Sequence, residues 1–325
     1  MGHYLVTGAA GFIGARVSEM LTDAGHTVLG IDNLSEAYDL RLKDWRLARL
    51  KDRSGFEFAL ADIRERQALK EAVGGRRLDG VINLAARAGV RPSVTNPWIY
   101  TETNVGGALN VLELCREFSV PKLVQASTSS VYGSDSLRPF REDADVTRPL
   151  SPYAATKAAA ELLAHTYHSL HGLDVTVLRF FTVFGPAGRP DMSIFRFVQW
   201  IEEGRPLVLY GDGNQERDYT FIDDIARGTI AALRPMGYEI INLGGDEPVS
   251  IREVIGLLEE LIGKPAQIDR QPDAPGDVRA TWANIDKARS LLDWEPQVAR
   301  LDGLADCVAW YRAERAWAAA VDTSD

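Results

Sequence analysis

Short apolar runs alternate with longer amphipathic stretches over the first 180 residues or so of the chain. The apolar runs predict strands at 4–6, 27–31, 56–59, 81–84, 122–125 and 175–178, and the stretches between them predict helices at 12–24, 64–73, 97–118 and 152–171. Near-continuous apolar strands separated by helices are typical of a parallel sheet that is covered on both faces. With right-handed crossovers, the pattern predicts a Rossmann-like, doubly wound α/β fold.

The alternation of apolar runs and helical stretches ends at about residue 185. Proline and glycine are frequent in the segment that follows, at Pro186, Gly188, Pro190, Gly204, Pro206, Gly211 and Gly213. Shorter pieces follow, up to an amphipathic helix predicted near 302–320. We therefore expect residues 1–185 to form a dinucleotide-binding domain. Residues 186–325 are expected to form mainly a smaller C-terminal substrate-binding lobe, with segments near 218–245 returning to the large domain. Because open α/β sheets bind ligands outside the carboxyl ends of their strands, such a lobe would close a cleft there.

Composition and charge exclude several kinds of partner. The formal net charge is -10, so the chain would gain no counterion-release affinity for nucleic acid. No apolar run approaches the length of about 18 residues typical of a membrane span, and the amino terminus does not resemble a signal peptide. Cys115 and Cys307 fall in helical patterns without metal-binding spacing. We expect a cytoplasmic protein with no nucleic-acid partner, no membrane partner and no metal site.

A glycine-rich turn follows the first predicted strand. Gly8, Gly11 and Gly14 are spaced by three and lead into a helix, which suits a tight turn, close backbone approach to a pyrophosphate and close packing of the helix. The spacing is G-x-x-G-x-x-G rather than the commoner G-x-G-x-x-G. An acid at the end of the second strand suits a ribose hydroxyl and repels a 2′-phosphate, which predicts NAD rather than NADP. The candidate cofactor contacts at the ends of the second and third strands are Asp32, Asn33, Asp62 and Ile63.

A tyrosine and a lysine four residues apart open the predicted helix at 152–171. Tyr153 and Lys157 therefore share one helix face. A phenol has a reference pKa near ~10, and a neighbouring ammonium together with an oxidised nicotinamide would lower that pKa. Tyr153 would then accept a proton from a sugar hydroxyl as a hydride leaves the carbon. Four hydroxyl residues at 127–130 follow the preceding strand, which predicts a catalytic hydroxyl at the same sheet edge.

Eight motifs together resemble one enzyme family. They are TGAAGFIG at 7–14, IDN at 31–33, NLAARAGVRPS at 83–93, TNVGG at 103–107, STSSVYG at 127–133, SPYAATK at 151–157, RDYTFIDDIA at 217–226 and PGDV at 275–278. On these motifs the chain resembles the extended short-chain dehydrogenase/reductases that act on nucleotide-sugars. The resemblance implies tightly bound NAD, a UDP-sugar substrate held by a separate lobe, and a homodimer formed through two helices of the large domain.

The resemblance also assigns roles to particular residues. Thr128 would assist Tyr153, and Lys157 would bind the nicotinamide ribose. The further cofactor contacts that it implies are Phe12, Ile13, Leu84, Ala85, Ala86 and Asn104. For the substrate it implies Arg217 and Arg279 at the diphosphate, Asp277 at the nucleotide ribose, and additional contacts from Val90, Arg91, Ser129, Ser130, Thr182 and Arg189. One departure is Ala274, where the family often has an arginine.

The residues that follow Thr128 separate the reactions within this family. The related dehydratases carry an Asp-Glu pair there and the decarboxylases a Glu at position 130, whereas this chain has Ser129 and Ser130. The absence of an acid favours oxidation and re-reduction at C4. Thr182-Val183, where UDP-glucose epimerases usually have Asn-Pro, favours a uronic acid. The expected activity is reversible 4-epimerisation of UDP-glucuronate to UDP-galacturonate through a 4-keto intermediate. The alternatives are a UDP-glucose 4-epimerase, a UDP-glucuronate decarboxylase and a non-catalytic NAD-sensing scaffold.

A uronic acid oxidised at C4 is a β-keto acid, which readily loses carbon dioxide. Loss is fastest when the bond to the carboxylate stands perpendicular to the ketone plane. We hypothesise that Ser129, Ser130 and Thr182 bind the carboxylate and hold it away from that geometry. Hydrogen bonds to a charged group are worth about 1.5–3 kcal/mol each, which is enough to select one rotamer.

Overall fold

A computed structural model describes residues 1–134, 136–272 and 278–323 of the chain. In these residues the β-strands are β1 (His3–Thr7), β2 (Thr27–Asp32), β3 (Phe56–Leu60), β4 (Gly80–Asn83), β5 (Lys122–Thr128), β6 (Asp174–Phe180), β7 (Thr182–Phe184), β8 (Pro206–Tyr210), β9 (Glu216–Phe221), β10 (Tyr238–Leu243), β11 (Pro248–Ser250) and β12 (Gln267–Gln271).

The helices of the described residues are α1 (Phe12–Asp23), α2 (Leu40–Lys51), α3 (Arg66–Val73), α4 (Val90–Thr95), α5 (Pro97–Tyr100), α6 (Ala108–Glu117), α7 (Pro152–His171), α8 (Ser193–Glu203), α9 (Ile222–Ala231), α10 (Ile251–Ile262), α11 (Asp286–Leu292), α12 (Arg300–Ala313) and α13 (Arg315–Ala318). A π-helical segment at Thr101–Gly107 joins α5 to α6, and a 3₁₀ turn at Ser129–Tyr132 follows β5.

Seven parallel strands form the central layer, in the order β3-β2-β1-β4-β5-β6-β10. Side chains alternate between the two faces, because successive residues of a strand point to opposite sides. Leu5, Val81 and Leu123 lie side by side in the core on one face. Their neighbours Val6 and Ile82 lie in the core on the other. This sheet confirms the predicted Rossmann-like α/β fold.

A ladder of buried polar side chains crosses the centre of the sheet at its carboxyl edge. The Thr7 hydroxyl donates to Asn83 Oδ1 at 2.5 Å, and Asn83 Nδ2 donates to Gln125 Oε1 at 2.9 Å. The backbone N–H of Ala85 donates to the same threonine hydroxyl at 3.2 Å. Because buried polar groups are costly unless they are paired, these bonds hold the ends of β1, β4 and β5 level with one another.

A second group of elements packs around its own apolar core. A three-stranded sheet in the order β11-β9-β7 and the pair β12-β8 lie with α8, α10 and α12 around this core. The strand β10, at residues 238–243, instead joins the large sheet beside β6. The boundary between the two domains stays a prediction.

Two helical predictions need correction, and one helix of the large domain was missed. The stretch 97–118 is α5, the π-helical segment and α6 rather than one helix, and 302–320 is two helices, α12 and α13. The helix α2 was not predicted at all. Its buried face carries Lys43 and Arg46 beside Leu42, Leu47 and Leu50. Two cations on the buried face interrupt the apolar period that identifies an amphipathic helix.

A buried ion pair fastens α7 to the sheet. The Arg179 guanidinium on β6 donates to both carboxylate oxygens of Glu161 on α7, at 3.1 and 2.8 Å. The Ser127 hydroxyl on β5 donates to the same carboxylate, and the guanidinium lies 4.9 Å from the centre of the Tyr132 ring. Only 2% of Arg179 is exposed. The pair thus joins β5, β6 and α7 at one point.

We predict that Arg179→Met lowers the free energy of unfolding by about 3–5 kcal/mol, because it leaves the Glu161 carboxylate buried without its cation. Urea denaturation followed by circular dichroism measures the change. The matched control is Arg66→Met, which removes the ion pairs of a half-exposed arginine with Glu113 and Glu117 and should cost less than about 1 kcal/mol. The double variant Glu161→Leu with Arg179→Met should recover much of the loss. A loss below about 1 kcal/mol in the single variant would contradict this account.

Candidate active site

A cleft of about 400 Å³ opens at the carboxyl edge of the large sheet. Its volume is that of an ordinary small-molecule site. Most of the predicted site residues line it: Gly8, Gly11, Phe12, Ile13, Gly14, Asp32, Asn33, Asp62, Ile63, Leu84, Ala85, Ala86, Val90, Thr128, Ser129, Ser130, Tyr153, Lys157, Thr182 and Arg189.

The glycine loop leaves no room for a side chain at any of its three glycines, and a Cβ on Gly11 would lie 2.9 Å from the carbonyl oxygen of Gly8. Gly8 has a φ of +70°, and a Cβ there would lie 2.8 Å from the backbone nitrogen of Ala85. A Cβ on Gly14 would lie 2.1 Å from the carbonyl oxygen of Gly8. The helix α1 begins directly after Gly11, so its first backbone N–H groups point into the cleft, where they suit a pyrophosphate. The loop therefore has the shape that NAD requires.

Asp32, at the end of β2, is the second part of the predicted cofactor site. Its carboxylate accepts from the backbone N–H of Ala10 at 3.2 Å and of Leu34 at 2.8 Å. The Lys43 ammonium, which sequence reasoning missed, donates to the same carboxylate at 3.3 Å and also lines the cleft. Asp32 thus holds the glycine loop against the end of β2 and has a cation beside it.

Asp62 and Asn33, which follow β3 and β2, lie within hydrogen-bonding distance of each other, and their contacts with the cofactor stay predictions. Asn33 Nδ2 donates to the Asp62 carboxylate at 2.8 Å, and Arg64 donates to it at 2.8 Å. Burial alone would raise the pKa of Asp62. The hydrogen bonds from Arg64 and Asn33 outweigh burial and hold that pKa below its ordinary value. Asp62 is therefore ionised at neutral pH and can accept a hydrogen bond from a ligand.

The start of α7 puts Tyr153 and Lys157 on the cleft wall. The Ser151 hydroxyl accepts from the backbone N–H of Ala154 at 3.1 Å, and Pro152 occupies the first helical position. Tyr153 therefore lies in the first turn and Lys157 one turn later. The helix cap fixes where α7 begins and therefore which turn of the helix each residue occupies.

Burial shifts the two pKa values in opposite directions. It raises the pKa of the Tyr153 phenol, although a hydrogen bond with Thr128 and the charge of Arg189 act to lower that pKa. Burial also lowers the pKa of the Lys157 ammonium to about 8, against the opposing charge of Glu161. A phenol in this setting needs a further positive charge close by to act as a base at neutral pH, and an oxidised nicotinamide carries one.

Hydroxyl groups and one guanidinium line the wall beside Tyr153. The Thr128 hydroxyl donates to Ser130 Oγ at 3.2 Å and accepts from the Ser130 backbone N–H at 3.2 Å. Thr182 begins β7 just after β6 ends, so its side chain reaches the same wall. Arg189 lines this wall too, and donates to both oxygens of Asp191 at 3.0 and 2.5 Å. The arrangement suits a substrate that carries both hydroxyls and a negative charge.

Asn104 lies behind the cleft wall rather than on it. Its amide nitrogen donates to the Arg87 carbonyl at 3.0 Å and to Thr156 Oγ1 at 3.1 Å, and its amide oxygen accepts from the Arg87 N–H at 2.8 Å. Asn104 therefore supports the segment at 85–88 that lines the cleft. Its direct contact with the cofactor stays a prediction.

Arg91, Arg217 and Arg279, which are also predicted substrate residues, are not among the residues that line the cleft. Arg91 places its guanidinium 4.3 Å from the centre of the Tyr210 ring. Arg217 and Arg279 are brought near each other, because a β-bridge pairs Glu216 with Ala280. Asp277 lies outside the described residues. The roles assigned to these residues from the family resemblance stay predictions.

Within residues 1–134, 136–272 and 278–323, no group of three His, Cys, Asp or Glu side chains could hold a metal ion. Over the same residues, no helix combines the length and the apolar character needed to cross a bilayer.

The family model described as the NAD dependent epimerase/dehydratase family matches residues 4–244. The UDP-glucuronate 4-epimerase of Thermodesulfobacterium geofontis is 57% identical over 311 residues, which are 95% of this chain and 96% of that protein. The crystal structure of UDP-glucuronic acid 4-epimerase from Bacillus cereus, in complex with UDP-glucuronic acid and NAD, is 38% identical, with a TM-score of 0.90 over 96% of this chain and 99% of that one.

A UDP-glucose 4-epimerase from Thermotoga maritima, solved with UDP-glucose, is 30% identical, with a TM-score of 0.89 over 96% of this chain and 99% of that one. These likenesses confirm the predicted family and fold, and they confirm NAD as the cofactor. The chain belongs to the NAD-dependent epimerase/dehydratase family.

Proposed function

We propose that this protein is an enzyme that reversibly converts UDP-glucuronate to UDP-galacturonate through a 4-keto intermediate. The observation that carries the proposal is that Tyr153, Lys157 and Thr128 share one cleft wall with the hydroxyls of Ser129 and Thr182. The 57% identity to an enzyme named for this reaction supports the same substrate. Hydroxyl side chains without a neighbouring acid on this wall suit a substrate whose own carboxylate needs hydrogen-bond donors.

The residues around the reacting carbon have distinct tasks. Bound NAD would supply the hydride acceptor for C4 and, in the return step, the hydride donor. The Tyr153 phenolate takes the proton from the C4 hydroxyl. Burial raises the pKa of that phenol, and the hydrogen bond from the Thr128 hydroxyl opposes this effect and so supports the charge of the phenolate. The Lys157 ammonium stabilises the phenolate from the same helix face. Rotation of the keto sugar presents its opposite face, and Tyr153 returns the proton to the C4 oxygen.

The sugar carboxylate must be restrained while C4 is a ketone. We infer that Ser129, Ser130 and Thr182 donate hydrogen bonds to it and keep its carbon–carbon bond near the plane of the ketone. The Arg189 guanidinium adds a positive charge on the same wall, and its bond to Asp191 holds it in one orientation. Both effects oppose loss of carbon dioxide because they stabilise the carboxylate in an unreactive rotamer.

The assembly that we propose is a homodimer built on α6 and α7. These two helices pack against each other and expose Leu109, Leu162 and Leu170, the last two with 71% of their surface accessible. Apolar side chains grouped on adjacent helices are typical of an interface.

Cys115 and Cys307 are buried and unpaired, which supports our proposal of a cytoplasmic protein.

We predict that Tyr153→Phe lowers kcat on UDP-glucuronate by about 10²-fold or more, because no other group replaces the phenol as acid and base. NAD should stay bound. NMR of the products from separate incubations with UDP-glucuronate and UDP-glucose measures the reaction and names the substrate. The matched control is Tyr167→Phe on the same helix, where the hydroxyl donates to Glu113. Wild-type turnover of UDP-glucose alone would overturn the proposed substrate, and full activity in Tyr153→Phe would overturn the mechanism.

We predict that Ser129→Ala combined with Thr182→Ala releases carbon dioxide and a pentose-bearing nucleotide from UDP-glucuronate. The reason is that the carboxylate loses two hydrogen bonds that hold it in the ketone plane. Mass spectrometry of the reaction mixture measures the pentose product. Thr166→Ala with Ser290→Ala is the control, since each of those hydroxyls donates to a carbonyl of its own helix. If the site variant produced no pentose while it still epimerised, the carboxylate hypothesis would be wrong.

We predict that Leu162→Asp converts the dimer to a monomer, because a carboxylate cannot be buried without a partner in an apolar interface. Light scattering after size-exclusion chromatography measures the mass. Leu60→Asp is the control, since Leu60 is 68% exposed but lies on the edge strand β3. A monomeric wild-type protein, or a dimer that survives the Leu162 change, would rule out this interface.

A further inference from the structure

Arg46 is a buried cation whose donors are shared among three segments of the chain. It lies on α2, with 3% of its surface exposed. Its Nη1 donates to the carbonyl of Ala10 at 3.2 Å and to the hydroxyl of Tyr38 at 2.8 Å. Its Nε and Nη2 donate to the carbonyl of Ala187 at 3.2 and 2.5 Å, and Nη2 reaches the carbonyl of Gly188 at 3.3 Å.

The acceptors of Arg46 are all uncharged. Among the described residues no carboxylate forms an ion pair with it, and the guanidinium instead lies 5.7 Å from the Phe12 ring and 5.6 Å from the Tyr38 ring. Burying a cation without an anion is costly, so stability alone does not account for an arginine here. A guanidinium does offer a rigid planar fork that can hold several carbonyls in one geometry.

One end of this fork holds the cofactor loop. Ala10 lies between Gly8 and Gly11, in the turn that approaches the pyrophosphate site. The N–H of Ala10 donates to Asp32, and its carbonyl accepts from Arg46. The peptide groups on either side of Ala10 are thus both fixed, one from β2 and the other from α2.

The other end of the fork holds the turn that carries Arg189. Ala187 is buried and has a φ of +51°, a conformation that a residue with a Cβ rarely adopts without outside support. Arg46 donates to the carbonyls of Ala187 and Gly188, and Arg189 follows directly. The side chain of Arg189 lines the cleft beside Tyr153 and contributes to its electrostatics.

We propose that Arg46 is a positioning residue that clamps the NAD-binding glycine loop to the turn carrying Arg189, so that the cofactor site and the sugar site are held in one mutual geometry. Arg46 itself is not among the residues that line the cleft. The substrate half of this inference rests on the proposed function, whereas the cofactor half rests only on NAD binding.

The first test compares Arg46→Met and Arg46→Lys with Arg49→Met. Arg49 is one turn along the same helix, half-exposed and paired with Glu19, so it is a matched control. We expect Arg46→Met to raise the dissociation constant for NAD by about tenfold and the KM for UDP-glucuronate by a similar factor, with a smaller change in kcat. Lysine cannot reach both ends of the clamp, so Arg46→Lys should show intermediate effects and serves as the variant if methionine prevents folding.

The second test is a double-mutant cycle with Arg189→Met, followed by KM for UDP-glucuronate. If Arg46 acts through Arg189, Arg46→Lys should raise KM several-fold in the wild-type background and less than about twofold in the Arg189→Met background. A purely structural role would raise KM by the same factor in both backgrounds and would overturn the clamp. NAD affinity within about twofold of the Arg49→Met control would also overturn it. If the wild-type protein did not turn over UDP-glucuronate, the proposed function would fail while the NAD measurement still decided this inference.

Discussion

Parallel alignment of the central strands is the constraint on which the rest of the structure depends. Because all seven strands run the same way, the chain leaves β1, β2, β4, β5 and β6 at one edge of the sheet. Gly8, Asp32, Ala85, Thr128 and Thr182, which are spread over more than half of the sequence, therefore surround a single cleft. The buried hydrogen bonds that link β1, β4 and β5 keep that edge level. Catalytic geometry here follows from sheet topology before any loop contributes to it.

The charges behind the cleft wall explain how two buried groups can work together. Burial makes it harder for Tyr153 to lose a proton and for Lys157 to keep one. The Glu161 carboxylate opposes the second effect, and Arg179 in turn prevents that carboxylate from being buried alone. The ion pair that fastens α7 to the sheet is thus part of the electrostatic setting of the lysine. The contacts of Glu161 therefore both stabilise the packing of α7 and affect the pKa of Lys157.

Local patterns predicted the large sheet, the glycine loop and the Tyr153–Lys157 pair, because each depends on spacing within a short stretch of chain. The contacts that tie distant segments together were not predictable in that way. Lys43 and Arg46 lie in a charged stretch whose buried face has no apolar period, so neither α2 nor its two inward cations stood out. Asp191 was missed for a similar reason, since a carboxylate beside Arg189 is common in solvent-exposed loops. Such residues acquire a role only when the fold brings their partners close.

An acidic protein whose proposed substrate carries a diphosphate and a sugar carboxylate must control the carboxylates around its cleft. Asp32 and Asp62 line the cleft, and Asp191 lies beside Arg189 of the cleft wall. Each of these acids has a cation against it: Asp32 with Lys43, Asp62 with Arg64, and Asp191 with Arg189. Paired in this way, the acids can still accept hydrogen bonds from hydroxyls, while their repulsion of phosphate or a sugar carboxylate is reduced. The pairing also fixes the cations in place. A chain with a net charge of -10 can therefore present to an anion a cleft whose local charges are balanced. The geometry of the ion pairs, rather than the overall charge, then determines what binds.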